Sequence, residues 1–202
     1  QYGRNRLEPL KSVFVDGGYT EGKERNIRNQ PEADAIVDTI VELCADERYA
    51  DKTMGVVVMQ GEAQATLIEQ KLLEQLGGDE IAKRHIVCGN SYSFQGDERD
   101  VIFLSLVAAP DAEGNFREGP TDKKRYNVAA SRARDQMWLF HSVRSGNLSP
   151  ARLRGRLVRH FESGGGAQED DPVDWAEVER RALQDDRTQL KPPHPFHQPG
   201  VV

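Results

Sequence analysis

The stretch that decides the fold is residues 90–107, with the sequence NSYSFQGDERDVIFLSLV. Its second part, Val101 to Val107, is a short apolar run dominated by β-branched and aromatic residues, which is typical of a strand buried on both faces. Its first part places a glycine with amide, hydroxyl and carboxylate groups just before that strand. Ligands of open α/β sheets bind in the crevice outside the strand ends, so these groups are candidates for a ligand site. An ordinary polar turn has the same composition, and the residues alone leave both interpretations open.

Similar apolar runs alternate with helical patterns along the rest of the chain. Further strands are predicted at Val13–Val15, Met54–Met59 and Met137–Phe140, with a weaker candidate at His85–Cys88. Helices are predicted from Pro31 to Cys44, from Glu62 to a stop at Gly77-Gly78, from Arg125 to Arg134 and from about Pro150 to Phe161. This alternation predicts an α/β fold, in which a parallel sheet is flanked by helices on both faces.

Composition indicates one domain with a tail. The chain has 202 residues, of which 37% are hydrophobic, and it contains no apolar run long enough for a membrane span. Cys44 and Cys88 are too few and too far apart for a disulfide framework or a Cys-rich zinc site, which indicates a reducing, cytoplasmic setting. We predict a domain over residues 1–163 and an acidic, Pro-rich linker or tail over residues 164–202. Because the sequence starts without Met, we expect a piece of a longer polypeptide.

Charge is distributed unevenly along the chain. The formal net charge is −6, but residues 1–122 carry a net of −10, residues 123–160 a net of +9 and residues 161–202 a net of −5. A concentrated basic block in an acidic chain is a candidate site for phosphates or nucleic acid. A solvated helix face would have the same charge, so the pattern alone leaves both interpretations open.

A glycine-rich stretch near the start imitates a phosphate-binding loop. Gly17, Gly22 and Lys23 fit the spacing G-x-x-x-x-G-K after the first predicted strand. That loop also needs a Ser or Thr hydroxyl for Mg²⁺, whereas Glu24 follows here, and a carboxylate at this position would repel phosphate. We therefore predict a turn at this stretch and no phosphate loop.

A second polar segment, residues 123–134 with the sequence KKRYNVAASRAR, lies in the basic block. On the predicted helix its alanines would permit close packing on the sheet, while Arg132 projects from the helix end. An arginine mounted in this way can reach a γ-phosphate and stabilise the charge that develops during phosphoryl transfer. A surface arginine without a ligand is the alternative that the pattern leaves open.

Together the two segments resemble the second RecA-like domain of superfamily 1 helicases. Phe94 to Ser105 and Arg125 to Arg134 match the up-frameshift-type group, which carries F-Q-G-x-E-x-D before a strand and R-x-N-V-A-x-[ST]-R-A-[KR] on a later helix. The predicted strand and helix from Met54 to Leu73, with Gln64 inside them, match the opening of that domain's core. The resemblance covers about Val13 to Val143 and implies a RecA-like P-loop NTPase fold.

The resemblance implies an ATP-dependent helicase in which ATP, with Mg²⁺, lies in a cleft between two RecA-like domains while single-stranded DNA or RNA crosses both. By motif match, Gly96 and Glu98 are expected to face the nucleotide, and Arg132 is expected to be the catalytic arginine finger. The nucleic-acid backbone is expected to contact the loop after the second strand and the turn after the third, at Gln60, Ser91, Tyr92 and Ser93. Contacts of this kind give affinity with little sequence preference.

The sequence departs from the family pattern at some expected nucleic-acid contacts and lacks part of the expected ATP site. Met59-Gln60-Gly61 stands where the family often has Thr-Pro-Tyr, and Tyr92 stands where it often has Asp. The sequence has no true phosphate loop and no Asp-Glu pair closing an apolar strand for Mg²⁺. The chain is therefore expected to hold half an ATP site, to need an N-terminal RecA-like domain as its partner, and to be inactive alone.

Other functions share some of these residues. A non-catalytic nucleic-acid-binding or assembly module that keeps the helicase fold is the alternative prediction. Asp97, Glu98 and Asp100 would also suit a metal-dependent nuclease, although all three fall inside the helicase-like motif. The five histidines show no pairing with Cys or carboxylates, so no metal site is predicted. The sequence leaves the choice of DNA or RNA and the oligomeric state open.

Overall fold

A parallel sheet is the framework of the protein. The computed structural model describes residues 7–94, 97–110, 116, 126–127 and 131–165. Within these residues five strands form one sheet: β1 (Leu10–Phe14), β2 (Met54–Val58), β3 (Val87–Gly89), β4 (Arg99–Ser105) and β5 (Ala133–His141). Their spatial order is β1-β5-β4-β2-β3, and every neighbouring pair is parallel. All five predicted strands are thus confirmed.

Helices lie on both faces of this sheet. Three α-helices have both ends within the described residues, α1 (Gln30–Ala45), α2 (Ala63–Lys83) and α3 (Leu153–Glu162), and 3₁₀ turns lie at Glu24–Asn26, Glu47–Tyr49, Ser91–Phe94 and Ser145–Asn147. Val101 and Phe103 of β4 share a buried cluster with α1 and α2, while Ile102 and Leu104 share another with α3. Because successive strand residues point to opposite faces, these clusters are the two sides of the sheet. The predicted α/β fold class is confirmed.

Burial on both faces explains why the central strands are continuous apolar runs. Every residue of β2 is buried, and in β4 only Asp100 is partly exposed. Trp138 of β5 packs beside Phe103 and Phe140, with ring centroids 6.2 and 6.3 Å away. Trp138 therefore belongs to the core, as its surroundings in the sequence indicate. Among the described helices, none has the length and apolar character that crossing a membrane requires.

The helix predicted over Arg125–Arg134 is wrong at its C-terminal end. Tyr126 is helical, but Arg132 lies in a bend and β5 already begins at Ala133. Residues 128–130 lie outside the described part of the chain. An alanine-rich run favours helix by intrinsic propensity, but here the backbone of this segment pairs with Arg99 of β4. Strand pairing overrides helix propensity here. Arg132 consequently lies directly before β5 and not at the end of a helix.

The predicted stop of the second helix at Gly77 is a kink. Gly77 has φ 75° and ψ 166°, which interrupts the helix, yet α2 resumes after it and continues to Lys83. Ile81 in the continuation packs against the core. The last helix is also shorter at its start than predicted, since α3 begins at Leu153 with Arg152 as its N-cap residue.

Candidate functional site

The two segments that the sequence singles out meet at the amino ends of β4 and β5. Arg99 pairs with Ala133, and the Arg99 N–H donates to the Arg132 carbonyl oxygen at 3.0 Å. Beside this pair, Arg134 Nε donates to Glu98 Oε2, also at 3.0 Å. We call this end of the sheet the amino edge, defined by Glu98, Arg99, Arg132 and Arg134.

Arg132 differs from the other arginine side chains of the amino edge. It is partly buried in the bend before β5, and its Nε atom is buried without a hydrogen-bond partner among the described residues. Arg134, in contrast, is exposed and forms an ion pair with Glu98. Burying an N–H group without an acceptor is unfavourable. Arg132 therefore has an N–H group whose hydrogen-bonding capacity the described residues leave unsatisfied.

The carboxylates of the same segment form ion pairs or hydrogen bonds with other residues of the domain. Asp97 pairs with Arg99 at 2.8 Å, and this hydrogen bond holds the Asp97 pKa below its usual value. Asp100 accepts hydrogen bonds from the Thr53 N–H at 2.8 Å and hydroxyl at 2.7 Å. Burial raises the Asp100 pKa, but the bonds from Thr53 outweigh it and leave the pKa low. With Glu98 in its own ion pair, the arrangement does not favour the nuclease alternative.

The predicted site residues fall into two groups at opposite ends of the strands. Glu98 and Arg132 share the amino edge, while Gly96, which is predicted to face the nucleotide, lies outside the described residues. Gln60 follows β2, and the turn Ser91–Phe94 follows β3, the neighbouring strand. We call this opposite end, where β2, β3, β4 and β5 terminate, the carboxyl edge. Gln60 is thus the length of a strand away from the amino edge, whereas the turn Ser91–Phe94 leads back toward that edge, since the Asp97 N–H donates to the Phe94 carbonyl oxygen at 3.1 Å.

Hydrogen bonds fix both predicted nucleic-acid segments at the carboxyl edge. Gln60 Oε1 accepts a hydrogen bond from Arg154 Nη2 of α3 at 3.3 Å. The Asn90 side chain accepts from the N–H groups of Tyr92 at 2.9 Å and Ser93 at 3.3 Å, which closes the 3₁₀ turn. Within this turn the Tyr92 side chain is 56% exposed. An exposed ring on a fixed turn is available for stacking on a base.

A cluster of buried polar side chains, not predicted from the sequence, lies behind the carboxyl edge. We call it the polar hub; its members, all buried, are Asn29, Glu32, Gln64, Ser105 and Ser142. Ser105 Oγ donates to Glu32 Oε1 at 2.7 Å, and Asn29 Nδ2 donates to Ser142 Oγ at 3.0 Å. Gln64 accepts from the Asn29 N–H at 2.8 Å and donates to the Asn29 carbonyl at 3.1 Å. The hub therefore joins α1 and α2 to the ends of β4 and β5.

Glu32 is the titratable member of the polar hub. Burial raises its pKa from 4.5 to about 8, and hydrogen bonds from Ser105 and the Val107 N–H offset part of that effect. A carboxyl group with this pKa is mainly protonated at neutral pH. The hub is thus a nearly neutral hydrogen-bonded network, which is far less unfavourable to bury than a free carboxylate.

One sequence signal could have pointed to the hub. Asn29 followed three residues later by Glu32 is a helix N-terminus pattern, and Asn29 Oδ1 does accept from the Glu32 N–H at 3.2 Å. In the usual pattern the glutamate turns back to the capping residue. Here Gln64 takes that place, which releases the Glu32 side chain to reach β4. No local sequence pattern predicts that Gln64, instead of Glu32, binds the Asn29 backbone, because Gln64 lies 35 positions further along the chain.

The glycine-rich stretch after β1 is a turn, as predicted. Gly17 and Gly22 have φ of 68° and 78°, and a Cβ on Gly22 would lie 2.3 Å from the Asn26 carbonyl oxygen. Residues Glu24–Asn26 form only a 3₁₀ turn, and α1 starts later, at Gln30. A phosphate loop delivers its anion to the N-terminus of the helix that follows directly. This stretch lacks that arrangement.

The sheet, its two layers of helices and its two polar edges define a RecA-like P-loop NTPase domain. A family model described as an AAA domain matches residues 4–144, and the chain therefore belongs to this AAA domain family. The MG140 homolog of Mycoplasma pneumoniae, named as an uncharacterized ATP-dependent helicase, is 31% identical over 174 residues, which covers 78% of this chain and 15% of the relative. Its Mycoplasma genitalium counterpart, MG140, is 30% identical over the same coverage. The chain spans about 15% of the length of these relatives.

Proposed function

We propose that the chain is the second, C-terminal motor domain of an ATP-dependent superfamily 1 helicase or translocase of the up-frameshift type. In this role it supplies the arginine finger and half of the ATP and single-strand nucleic-acid sites. The observation that carries the proposal is the amino edge, where Arg132 lies beside Glu98 with a buried Nε that has no partner in the described part of the chain. Names of the two helicase relatives support the same class of enzyme.

Arg132 is the residue that we assign to catalysis. A planar, permanently charged guanidinium can contact two phosphate oxygens at once, and it stabilises the charge that builds up on the transferring phosphoryl group. Gly96 and Glu98 are assigned to hold the nucleotide against this edge. ATP with Mg²⁺ would be bound mainly by an N-terminal RecA-like domain, which provides the phosphate loop. Closure of the two domains would bring Arg132 to the γ-phosphate.

The carboxyl edge is assigned to single-stranded DNA or RNA. Gln60, Ser91 and Ser93 are expected to contact the backbone, and Tyr92 is expected to stack on a base. The hydrogen bonds of Asn90 to the turn and of Arg154 to Gln60 support this assignment, because they hold the two segments in place on neighbouring strands. The free thiols of Cys44 and Cys88 support a cytoplasmic setting for this activity.

Arginine replacement in the longer protein tests the proposal. We expect Arg132→Ala, in the protein that includes the N-terminal RecA-like domain, to lower nucleic-acid-stimulated ATP hydrolysis by about a thousandfold or more, because the transition-state charge loses its partner. Arg132→Lys should restore little, since a lysine lacks the bidentate fork. Arg48→Ala is the matched control, because Arg48 is exposed, forms its ion pair with Asp46, lies over the neighbouring Tyr49 ring and is not among the residues assigned to either edge.

Phosphate release and oligonucleotide binding, measured on the same preparations, separate the outcomes. Wild-type turnover in Arg132→Ala would overturn the catalytic assignment. A wild-type protein that binds oligonucleotides but does not hydrolyse ATP would favour the non-catalytic binding or assembly module. Absence of both activities in the wild type would overturn the helicase proposal as a whole.

A further inference from the structure

Val107 is in a strained conformation at the carboxyl edge. It follows the end of β4 and has φ 64°, in the left-handed region that β-branched residues avoid. Such strain persists only where the surroundings fix the residue. An outlier of this kind, found next to a predicted ligand-binding edge, is a reason to look for a positioning role.

The polar hub supplies the groups that fix Val107. Glu32 Oε1 accepts a hydrogen bond from the Val107 N–H at 2.8 Å, and Asn29 Nδ2 donates to the Val107 carbonyl oxygen at 3.2 Å. Both backbone polar groups of one strained residue are therefore held by two fully buried side chains of the α1 N-terminus. Val107 itself is fully buried as well. The strain is thus maintained by specific contacts from a different element.

The same hub also holds the neighbouring strand end that carries Gln60. Gln64, in the first turn of α2, is bound on both sides to the Asn29 backbone, and it donates to Ser105 Oγ at 3.2 Å. The Met59 N–H donates to the Ser105 carbonyl oxygen at 2.9 Å. The segment that leaves β4 and the loop that contains Gln60 therefore share one set of supports.

We propose that Asn29 and Glu32 are positioning residues for the carboxyl edge: they hold Val107 in its left-handed conformation and so fix where the chain leaves β4 beside Gln60. The inference rests on the proposed function, in which this edge binds single-stranded nucleic acid. Asn29 and Glu32 are buried, so they are not expected to contact the nucleic acid themselves. Their effect on binding is transmitted through the backbone of Val107 and through Gln64.

Removing the glutamate side chain tests the inference. Glu32→Ala leaves the Val107 N–H without its acceptor, so Val107 should relax toward negative φ and the exit of β4 should move. We expect the affinity of the chain for a fluorescein-labelled oligothymidylate or oligouridylate, measured by anisotropy, to fall roughly twofold to thirtyfold. Glu32→Gln, which keeps a carbonyl oxygen at the same place, should retain wild-type affinity.

A second substitution separates positioning from simple loss of stability. Glycine adopts positive φ without strain, so Val107→Gly in the Glu32→Ala background should recover part of the lost affinity. Ile40→Ala is the control for stability: Ile40 is fully buried in α1 but belongs to the apolar cluster, so its loss should lower the melting temperature and leave affinity unchanged. All affinities are compared at a temperature at which circular dichroism shows each variant to be folded.

Each outcome decides the inference. Unchanged affinity in Glu32→Ala, with wild-type binding intact, overturns the positioning role and leaves the proposed function standing. A wild-type chain that binds neither oligonucleotide overturns the proposed nucleic-acid site and this inference with it. Where Glu32→Ala does not fold, Asn29→Ala takes its place, and amide hydrogen exchange at Val107 reports whether the strained residue has been released. Unchanged oligonucleotide affinity in a folded Asn29→Ala would also overturn the inference.

Discussion

Glu32 is a carboxyl group that the fold holds away from water. Because burial raises its pKa from 4.5 to about 8, the folded state binds this proton more tightly than the unfolded state does. The contribution of Glu32 to stability is therefore complete below about pH 4.5 and is lost as the pH rises toward 8. Asp97 behaves in the opposite way: its pKa is lowered by Arg99, so its contribution is present above the usual carboxyl range and is lost in acid.

We expect Glu32→Gln to remove most of the fall in stability across this pH range. The amide is neutral at every pH and keeps a carbonyl oxygen for Ser105 and Val107, so the proton linkage disappears while the contacts remain. Urea unfolding at a series of pH values between the usual glutamate range and mildly alkaline pH measures the effect. Asp97→Asn serves as the control, since it should lower the unfolding free energy by a similar amount throughout this range and leave the fall with rising pH unchanged. The prediction is wrong if wild type and Glu32→Gln lose stability in parallel as the pH rises.

The 3₁₀ turn Ser91–Phe94 is attached to the sheet by its last side chain. Phe94 is fully buried and lies over Gly55 of β2, where an added Cβ would be 2.7 Å from Phe94 Cε1 and 3.1 Å from Ile102 Cδ1. Contacts this close require Phe94 or the strand to move. The missing side chain of Gly55 therefore makes the room in which the turn is anchored.

Two glycine-to-alanine substitutions should have opposite signs for this reason. Gly55→Ala is expected to destabilise the fold by about 1–3 kcal/mol through overpacking, and to weaken oligonucleotide binding because the turn that carries Tyr92 loses its anchor. Gly78→Ala, in the continuation of α2 where an added Cβ meets nothing within 4 Å, is expected to stabilise by about 0.5–1 kcal/mol. Thermal and urea unfolding of both variants check the signs, and a stable Gly55→Ala with normal binding would contradict the anchoring role.

The sequence predicts the elements whose signals are local. Buried strands such as β2 and β4 are continuous apolar runs, and α1 has both apolar periodicity and Pro31 in its first turn, so their patterns suffice. The start of β5 is different, because the residues around Ala133 favour helix and become strand only by pairing with Arg99. The polar hub is unpredictable for the same reason. Its hydrogen bonds join Asn29 to Gln64 and Ser142, which are distant in sequence and meet only in the folded chain.

The division of the basic block between the two edges is a property of the whole molecule. Residues 123–160 carry a net charge of +9, and β5 runs through the middle of this block. Arg132 lies directly before β5 and Arg134 near its start, both at the amino edge. Arg144 follows β5, and Arg154 of α3 lies beside Gln60 at the carboxyl edge. One basic stretch of sequence thus contributes positive charge to the edge assigned to ATP and to the edge assigned to nucleic acid.

Substitutions at the two edges should therefore differ in their effect on oligonucleotide affinity and on its salt dependence. Tyr92→Ala removes an exposed ring at the carboxyl edge, and we expect it to weaken oligothymidylate binding by about 1–3 kcal/mol, the usual contribution of one base-stacking residue. The salt dependence of binding should stay the same, because no phosphate contact is lost, and Tyr92→Phe should bind normally. Arg132→Ala should leave the affinity for oligothymidylate near that of the wild type, since Arg132 lies at the amino edge and is not among the residues assigned to nucleic acid. Anisotropy titrations at several salt concentrations measure both quantities. If Arg132→Ala weakened binding as much as Tyr92→Ala and reduced the salt slope as well, the strand would run along the amino edge, and the assignment of the two edges would have to be reversed.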